Sequence, residues 1–205
     1  MSVFNQLMMR KKRINATIIG NPTISNDFIV TNFSRTSYLR IPIDFMTSNT
    51  DSFKIHTKGR ILNGFGTDSS RYDNLIFFDT TITGYYGIQL KINRFKKVFS
   101  SSGITDSAWI IDTEGSTTLI TNAWYYINYI YIPNIGININ LSSDNINWTT
   151  EISYSGNAQW ITGQIPYIGY CPRLSQSYQR FDYCEIDMKE YYIEKNNQII
   201  WQGVI

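Results

Sequence analysis

The sequence is poor in the residues from which most catalytic and metal centres are made. Its 205 residues include one histidine, His56, which excludes multi-histidine metal centres and most histidine-based catalytic designs. Two cysteines, Cys171 and Cys184, cannot build a disulfide framework. With no oxidising compartment implied, they are expected to be free thiols. Charge is scarce as well, 17% of residues with a net +2, so no strong field draws the molecule to nucleic acid or to an anionic membrane. No apolar run approaches the ~18–20 residues that would cross a bilayer. Phe4, Leu7, Met8 and Met9 precede the basic run Arg10 to Arg13, the reverse of the order in a secretory leader, so export by the ordinary route is not expected. H-E-x-x-H, a G-x-S-x-G elbow, a phosphate loop and cysteine pairs at zinc spacing are all missing.

What the chain has instead is a large apolar and aromatic content, 42% and 15%, carried in short β-branched and aromatic runs between Gly, Asn, Asp and Ser clusters. Helical periodicity is almost absent. The plainest strand is Ile135 to Leu141, apolar at odd positions and small or polar at even ones, a period of two with one face to a core. Similar runs predict strands over Thr17–Gly20, Asp27–Phe33, Ser37–Ile43, Ser52–Leu62, Leu75–Asp79, Tyr86–Ile92, Trp109–Asp112, Trp124–Ile132, Trp148–Tyr154, Tyr167–Tyr170, Cys184–Ile193 and Gln198–Gln202. About a dozen strands with frequent turns predict an all-β, two-sheet antiparallel sandwich over residues 14–205. Residues 1–13 form a basic N-terminal arm, at most a short helix that needs a partner to be ordered. The arm is expected to dock on a neighbouring subunit and make a homo-oligomer.

Two reversals carry turn chemistry. Asn196-Asn197 separates two strand-like runs, and Asn tolerates the positive φ of a two-residue hairpin. Ser143-Asp144-Asn145 leads into Trp148 in the same manner. Together with Ile168-Gly169-Tyr170, Phe181, Glu185 to Lys189 and Ile199-Ile200-Trp201-Gln202-Gly203, these elements resemble the end of a concanavalin A-like, laminin-G-type jelly roll. In such domains a strand reading "G-x-I-D-L-K" is followed by "N-G-x-x-x-W-x-G". Tyr125-Tyr126-Ile127, Ile137 to Asp144 and Trp148 resemble its middle, and Asn26 to Phe33 with Tyr38-Leu39 its opening strands. Asn145 stands where that pattern has Gly, and Tyr183-Cys184 where a Gly often precedes "I-D". The resemblance implies carbohydrate or protein binding and, because such domains are frequent in phage tail, fibre and baseplate proteins, a place in a virion. The expected function is a non-enzymatic module that binds glycans on a bacterial surface. A purely structural contact between virion subunits is the alternative.

Glu185-Ile186-Asp187-Met188-Lys189-Glu190 also resembles the E-x-D-x-x-E motif of family 16 glycoside hydrolases. That resemblance implies retaining chemistry by Glu185 and Glu190 with Asp187 assisting. A β-bulge would be needed to bring Glu190 to the face of Glu185 and Asp187. The motif lies too near the C-terminus for that family, so catalysis is not expected. Loops are the expected ligand sites: Gly64 to Asn74 with Arg71, Tyr72 and Asn74, Ser155 to Gly163 with Asn157, Gln159 and Trp160, and Arg173 to Arg180 with Tyr178. Trp160, among Asn, Gln and Gly, is singled out as exposed and sugar-facing, whereas Trp109, Trp124, Trp148 and Trp201 are expected to pack in the core or at a subunit contact. A structural calcium ion, if bound, would be held by Asp68 and Asp73 at the sandwich rim.

Overall fold

The computed structural model describes residues 16–25, 30–31, 37–43, 50–62, 75–79, 87–93, 95–102, 110–158, 160, 165–169 and 186–203. They form strands β1 (Thr17–Ile19), β2 (Thr23–Ile24), β3 (Val30–Thr31), β4 (Tyr38–Arg40), β5 (Phe53–Ile61), β6 (Leu75–Asp79), β7 (Ile88–Ile92) and β8 (Lys97–Ser102). Then come β9 (Ile111–Thr118), β10 (Tyr125–Ile132), β11 (Gly136–Ser142), β12 (Thr149–Ser155), β13 (Tyr167–Ile168), β14 (Ile186–Lys195) and β15 (Gln198–Gly203). A seven-stranded sheet runs β1-β4-β13-β6-β7-β8-β9; an eight-stranded sheet runs β12-β11-β10-β5-β14-β3-β2, with β15 paired to β14. All pairings are antiparallel.

Period-two alternation builds the core. In β5, Phe53, Ile55 and Ile61 point inward, as do Ile127, Tyr129 and Tyr131 of β10, Ile137, Ile139 and Leu141 of β11, and Tyr191 and Ile193 of β14. They pack with Leu39, Ile88, Leu90, Ile92 and Val98 of the other sheet. Each such side chain, taken wholly out of water, contributes roughly 1.5–3 kcal/mol. Among the described residues no helix is long and apolar enough to cross a membrane.

Polar groups close the rims. Glu151 of edge strand β12 reaches edge strand β9 of the opposite sheet, where its carboxylate accepts from the backbone N–H of Ser116 (2.7 Å) and Thr117 (2.8 Å) and from the Thr117 hydroxyl. Burial works against its charge, but these bonds outweigh it and hold the carboxyl below its ordinary pKa. Asp144 serves one turn in the same way, accepting from the N–H of Ile146 and Asn147 (both 2.8 Å). Those backbone donors hold its carboxyl far below the usual carboxylate range. Asn145, in the place of the expected glycine, sits at φ 63°, a left-handed conformation that Asn adopts readily. The C-terminal hairpin turns on Asn196 (φ 49°) and Asn197 (φ 62°), and Asn196 ties it to the start of β5 by accepting from Ser52 N–H (3.0 Å) and donating to Asp51 (2.8 Å).

Several strand expectations are corrected. Thr23–Ile24 and Lys97–Ser102, outside the expected strands, are β2 and β8; Ser100 and Ser101 are buried, and Ser101 Oγ donates to Asp112 (2.6 Å). Strand β11 begins at Gly136, and Ile135, expected to face the core, sits in the preceding turn, 60% exposed. The strand expected to end at Asp112 continues to Thr118, because its polar residues lie along the sheet's edge.

Candidate functional site

The side chains that alternate with the core residues of the eight-stranded sheet make an ordered polar face. On β5 they are Lys54, His56, Lys58 and Arg60. Pairing with β14 places Glu194 opposite Lys54, Tyr192 opposite His56, Glu190 opposite Lys58 and Asp187 opposite Arg60. On the other flank, β10 places Ile130, Asn128 and Tyr126 opposite Lys54, His56 and Lys58. Asn138 and Asn140 of β11 extend the first two of those rows.

Asp187 and Glu190 are three residues apart and would face opposite ways in a regular strand. A register shift between Met188 and Glu190 restores both to this face while Met188 and Tyr191 stay in the core. The bulge that the carboxylate motif required is therefore present. Each of these carboxylates is engaged, Asp187 by Arg60 (2.7 Å) and Glu190 by Lys58 (3.3 Å).

The rows are also knitted sideways. His56, 4% exposed, has its Nδ1 2.7 Å from Asn128 Oδ1. Its ring stacks on Tyr192 (centroids 4.5 Å, 12°) and meets Trp148 edge-on at 6.3 Å. Burial, only partly offset by the Asn128 bond, lowers its pKa, so the imidazole is neutral at physiological pH. Lys58 donates to the Tyr126 hydroxyl (2.6 Å) and lies over that ring at 4.4 Å. Burial opposes its charge, yet the Tyr126 bond and the Glu190 carboxylate raise its pKa. The Arg60 guanidinium lies over Trp124 at 4.8 Å and the Lys54 ammonium over Tyr192 at 5.4 Å. At the Ser52 end of β5 the face deepens into a groove of about 300 Å³ whose lining includes Lys54, Ile130, Ile132, Glu194 and Asn196.

Cations occupy several of the ring faces, so this surface offers phenol, ammonium, guanidinium and carboxylate groups in fixed positions and little bare aromatic area, held from beneath by the buried His56, Asn128 and Asp187. That chemistry suits a ligand dense in groups that both donate and accept hydrogen bonds.

The residues singled out from the sequence fall elsewhere or outside the described set. Trp160 corrects the expectation of exposure: it is 7% exposed and packs edge-on against Phe53 (5.4 Å) and Tyr131 (5.3 Å), part of the core cluster. Strands distant in sequence bury it, despite its polar neighbours along the chain. Asn157 is exposed, and its side chain bonds Asn134 (2.9 Å), bracing the β10–β11 turn. Trp201 is in the core, and Trp124 and Trp148 lie half-buried at the polar face. Arg71, Tyr72, Asn74, Gln159, Tyr178, Asp68, Asp73, Glu185, Trp109, both cysteines and the arm at residues 1–13 lie outside the described residues. The alternation Lys54, His56, Lys58, Arg60 is the signal in the sequence by which this face could have been found.

No protein-family model and no curated protein sequence matches the chain. Solved structures do match in shape. The enzymatically active domain of tailspike protein 2 of bacteriophage CBA120 aligns with a TM-score of 0.62 at 10% identity, over 99% of this chain and 35% of that one. The binding domain of botulinum neurotoxin serotype D aligns at 0.61 and 7% identity, over 90% and 44%. Lectin II from Ulex europaeus aligns at 0.54 and 12% identity, over 89% and 93% of the two chains. The fold is a lectin-like antiparallel jelly roll. At such identities the likeness carries the fold alone.

Proposed function

We propose that this chain is a non-catalytic carbohydrate-binding module and that the outer face of the eight-stranded sheet is its binding platform. The observation that carries the reading is the set of cross-strand rows around His56, in which amides, phenols and paired charges hold one another in place before any ligand arrives. Preorganised polar groups lose little entropy on binding a sugar's hydroxyls. The shared fold accords with this, since the aligned structures include a lectin. On the finer level, the module belongs to a phage particle, recognises glycans of a bacterial surface and oligomerises through residues 1–13.

The module is read as non-catalytic: Asp187 is held by Arg60 and Glu190 by Lys58, which supports a structural part for both carboxylates in the platform. A glycan array and intact bacterial cells, probed with the wild-type protein and with Tyr126→Ala, test the proposal. Saturable binding lost in the variant, with no reducing ends released by the wild type, is expected. Absence of binding to any glycan or cell would refute it.

A further inference from the structure

Resting on the carbohydrate reading, we propose that the ligand is an uncharged, linear glycan segment laid along β5, and neither an acidic sugar nor a single terminal sugar. The first observation is the charge pattern. Every cation of β5 on this face has a carboxylate at its own register position: Lys54 opposite Glu194, Lys58 opposite Glu190, Arg60 opposite Asp187. Two of the three pairs are closed at 3.3 and 2.7 Å. The fourth basic side chain, His56, is 4% exposed, and its burial keeps the imidazole neutral although the Asn128 bond favours the charged form. At Lys58 and Arg60 an acidic sugar would have to pull the cation from its partner and strand a carboxylate that is half-buried in one case and 5% exposed in the other, a costly exchange, and at Lys54 it would meet Glu194 at the same register position. Sugar hydroxyls, which donate and accept, can bond to the exposed parts of Lys58, Glu190 and Arg60 without breaking either pair, while Asp187 stays buried beneath Arg60.

The second observation is length. From Lys54 to Arg60 the face runs about 20 Å at the usual rise of a strand, several pyranose rings long. Polar rows continue throughout, and the groove of about 300 Å³ lies at one end. A terminal monosaccharide would occupy one row of such a platform and leave the others unused.

The test measures binding of the full chain to two size series. One is neutral, from one to six sugars derived from glucans, mannans and galactans; the other is acidic, from polygalacturonate and alginate, each at low and high salt. The expected result is affinity for a neutral series that rises at least about tenfold from monosaccharide to the chain that fills the face, then levels off, with little dependence on salt. Wild-type protein should ignore the acidic series, and Glu190→Gln, which releases Lys58, should acquire salt-sensitive affinity for it. Tightest wild-type binding to an acidic chain, or full affinity for a monosaccharide, would overturn this inference while leaving the carbohydrate reading standing. Failure of both series to bind would overturn this inference, and the carbohydrate reading falls with it only where the glycan array and the cells also show no binding.

Discussion

The two faces of β5 are made from one nine-residue strand and do opposite things. Inward, Phe53, Ile55 and Ile61 meet apolar side chains of both sheets; outward, His56, Lys58 and Arg60 each meet a specific polar partner on β10 or β14, and Lys54 lies over the Tyr192 ring. Burial on the inner face is non-directional and depends on volume. On the outer face the partners are oriented and, at Lys58 and Arg60, charge-assisted, so replacing one leaves its neighbour unpaired. Stability is therefore concentrated on one face of the sheet, and the proposed recognition on the other.

Substitutions at the inner face should show this most strongly. Ile55→Ala, at a position with no exposed surface, should cost about 2–5 kcal/mol in urea unfolding while leaving ligand affinity of the folded fraction unchanged. A change in affinity equal to the loss of stability would mean that the two faces are not separable.

Backbone geometry comes next. Gly136, which opens β11, has φ 135°, and a Cβ there would run into the Tyr154 carbonyl. Gly136→Ala should cost on the order of 2 kcal/mol or more, read from the same unfolding curves. An unchanged midpoint would show that the β10–β11 hairpin relaxes without difficulty.

The rim that joins the sheets should matter less. Glu151→Gln keeps one carbonyl oxygen but loses the charge that strengthens the Ser116 and Thr117 bonds, so about 1–2 kcal/mol is expected. Because the folded-state pKa of Glu151 is depressed, its contribution is present above the ordinary value of 4.5 and disappears as pH falls. Wild type and variant should therefore converge in stability in acid.

His56 gives the smallest effect, with the same direction in pH as Glu151 but at higher pH. Its folded pKa lies below 6.5, so the unfolded chain takes up a proton first and wild-type stability falls as pH drops from 6.5 toward the folded value. His56→Gln should flatten that part of the stability profile. An unaltered slope would show that protonation is tolerated at the centre of the outer face.

Much of the architecture can be read from alternation alone. Ile137, Ile139 and Leu141 mark β11 without ambiguity, and Asn196-Asn197 mark the last hairpin. Lys97–Ser102 escapes such reading because a buried serine satisfied by Asp112 has the same local sequence as a turn serine. The candidate site was harder still. Lys58 and Glu190, or Arg60 and Asp187, lie more than 120 positions apart, and only the β5–β14 register and the bulge after Met188 bring them to one surface. Trp160 failed for the same reason, since its partners Phe53 and Tyr131 come from strands that its own neighbourhood does not reveal.

The central claim, that recognition lies on the outer face of the eight-stranded sheet, is tested most directly by calorimetric titration of the glycan that binds most tightly on the array. The wild type would be compared with Tyr192→Ala on that face and Phe95→Ala on a turn of the other sheet, where the side chain is 55% exposed. The account predicts that Tyr192→Ala weakens binding by at least about tenfold, roughly 1.4 kcal/mol, while Phe95→Ala binds as the wild type does and both keep the wild-type fold by circular dichroism. Unchanged affinity in Tyr192→Ala would contradict it.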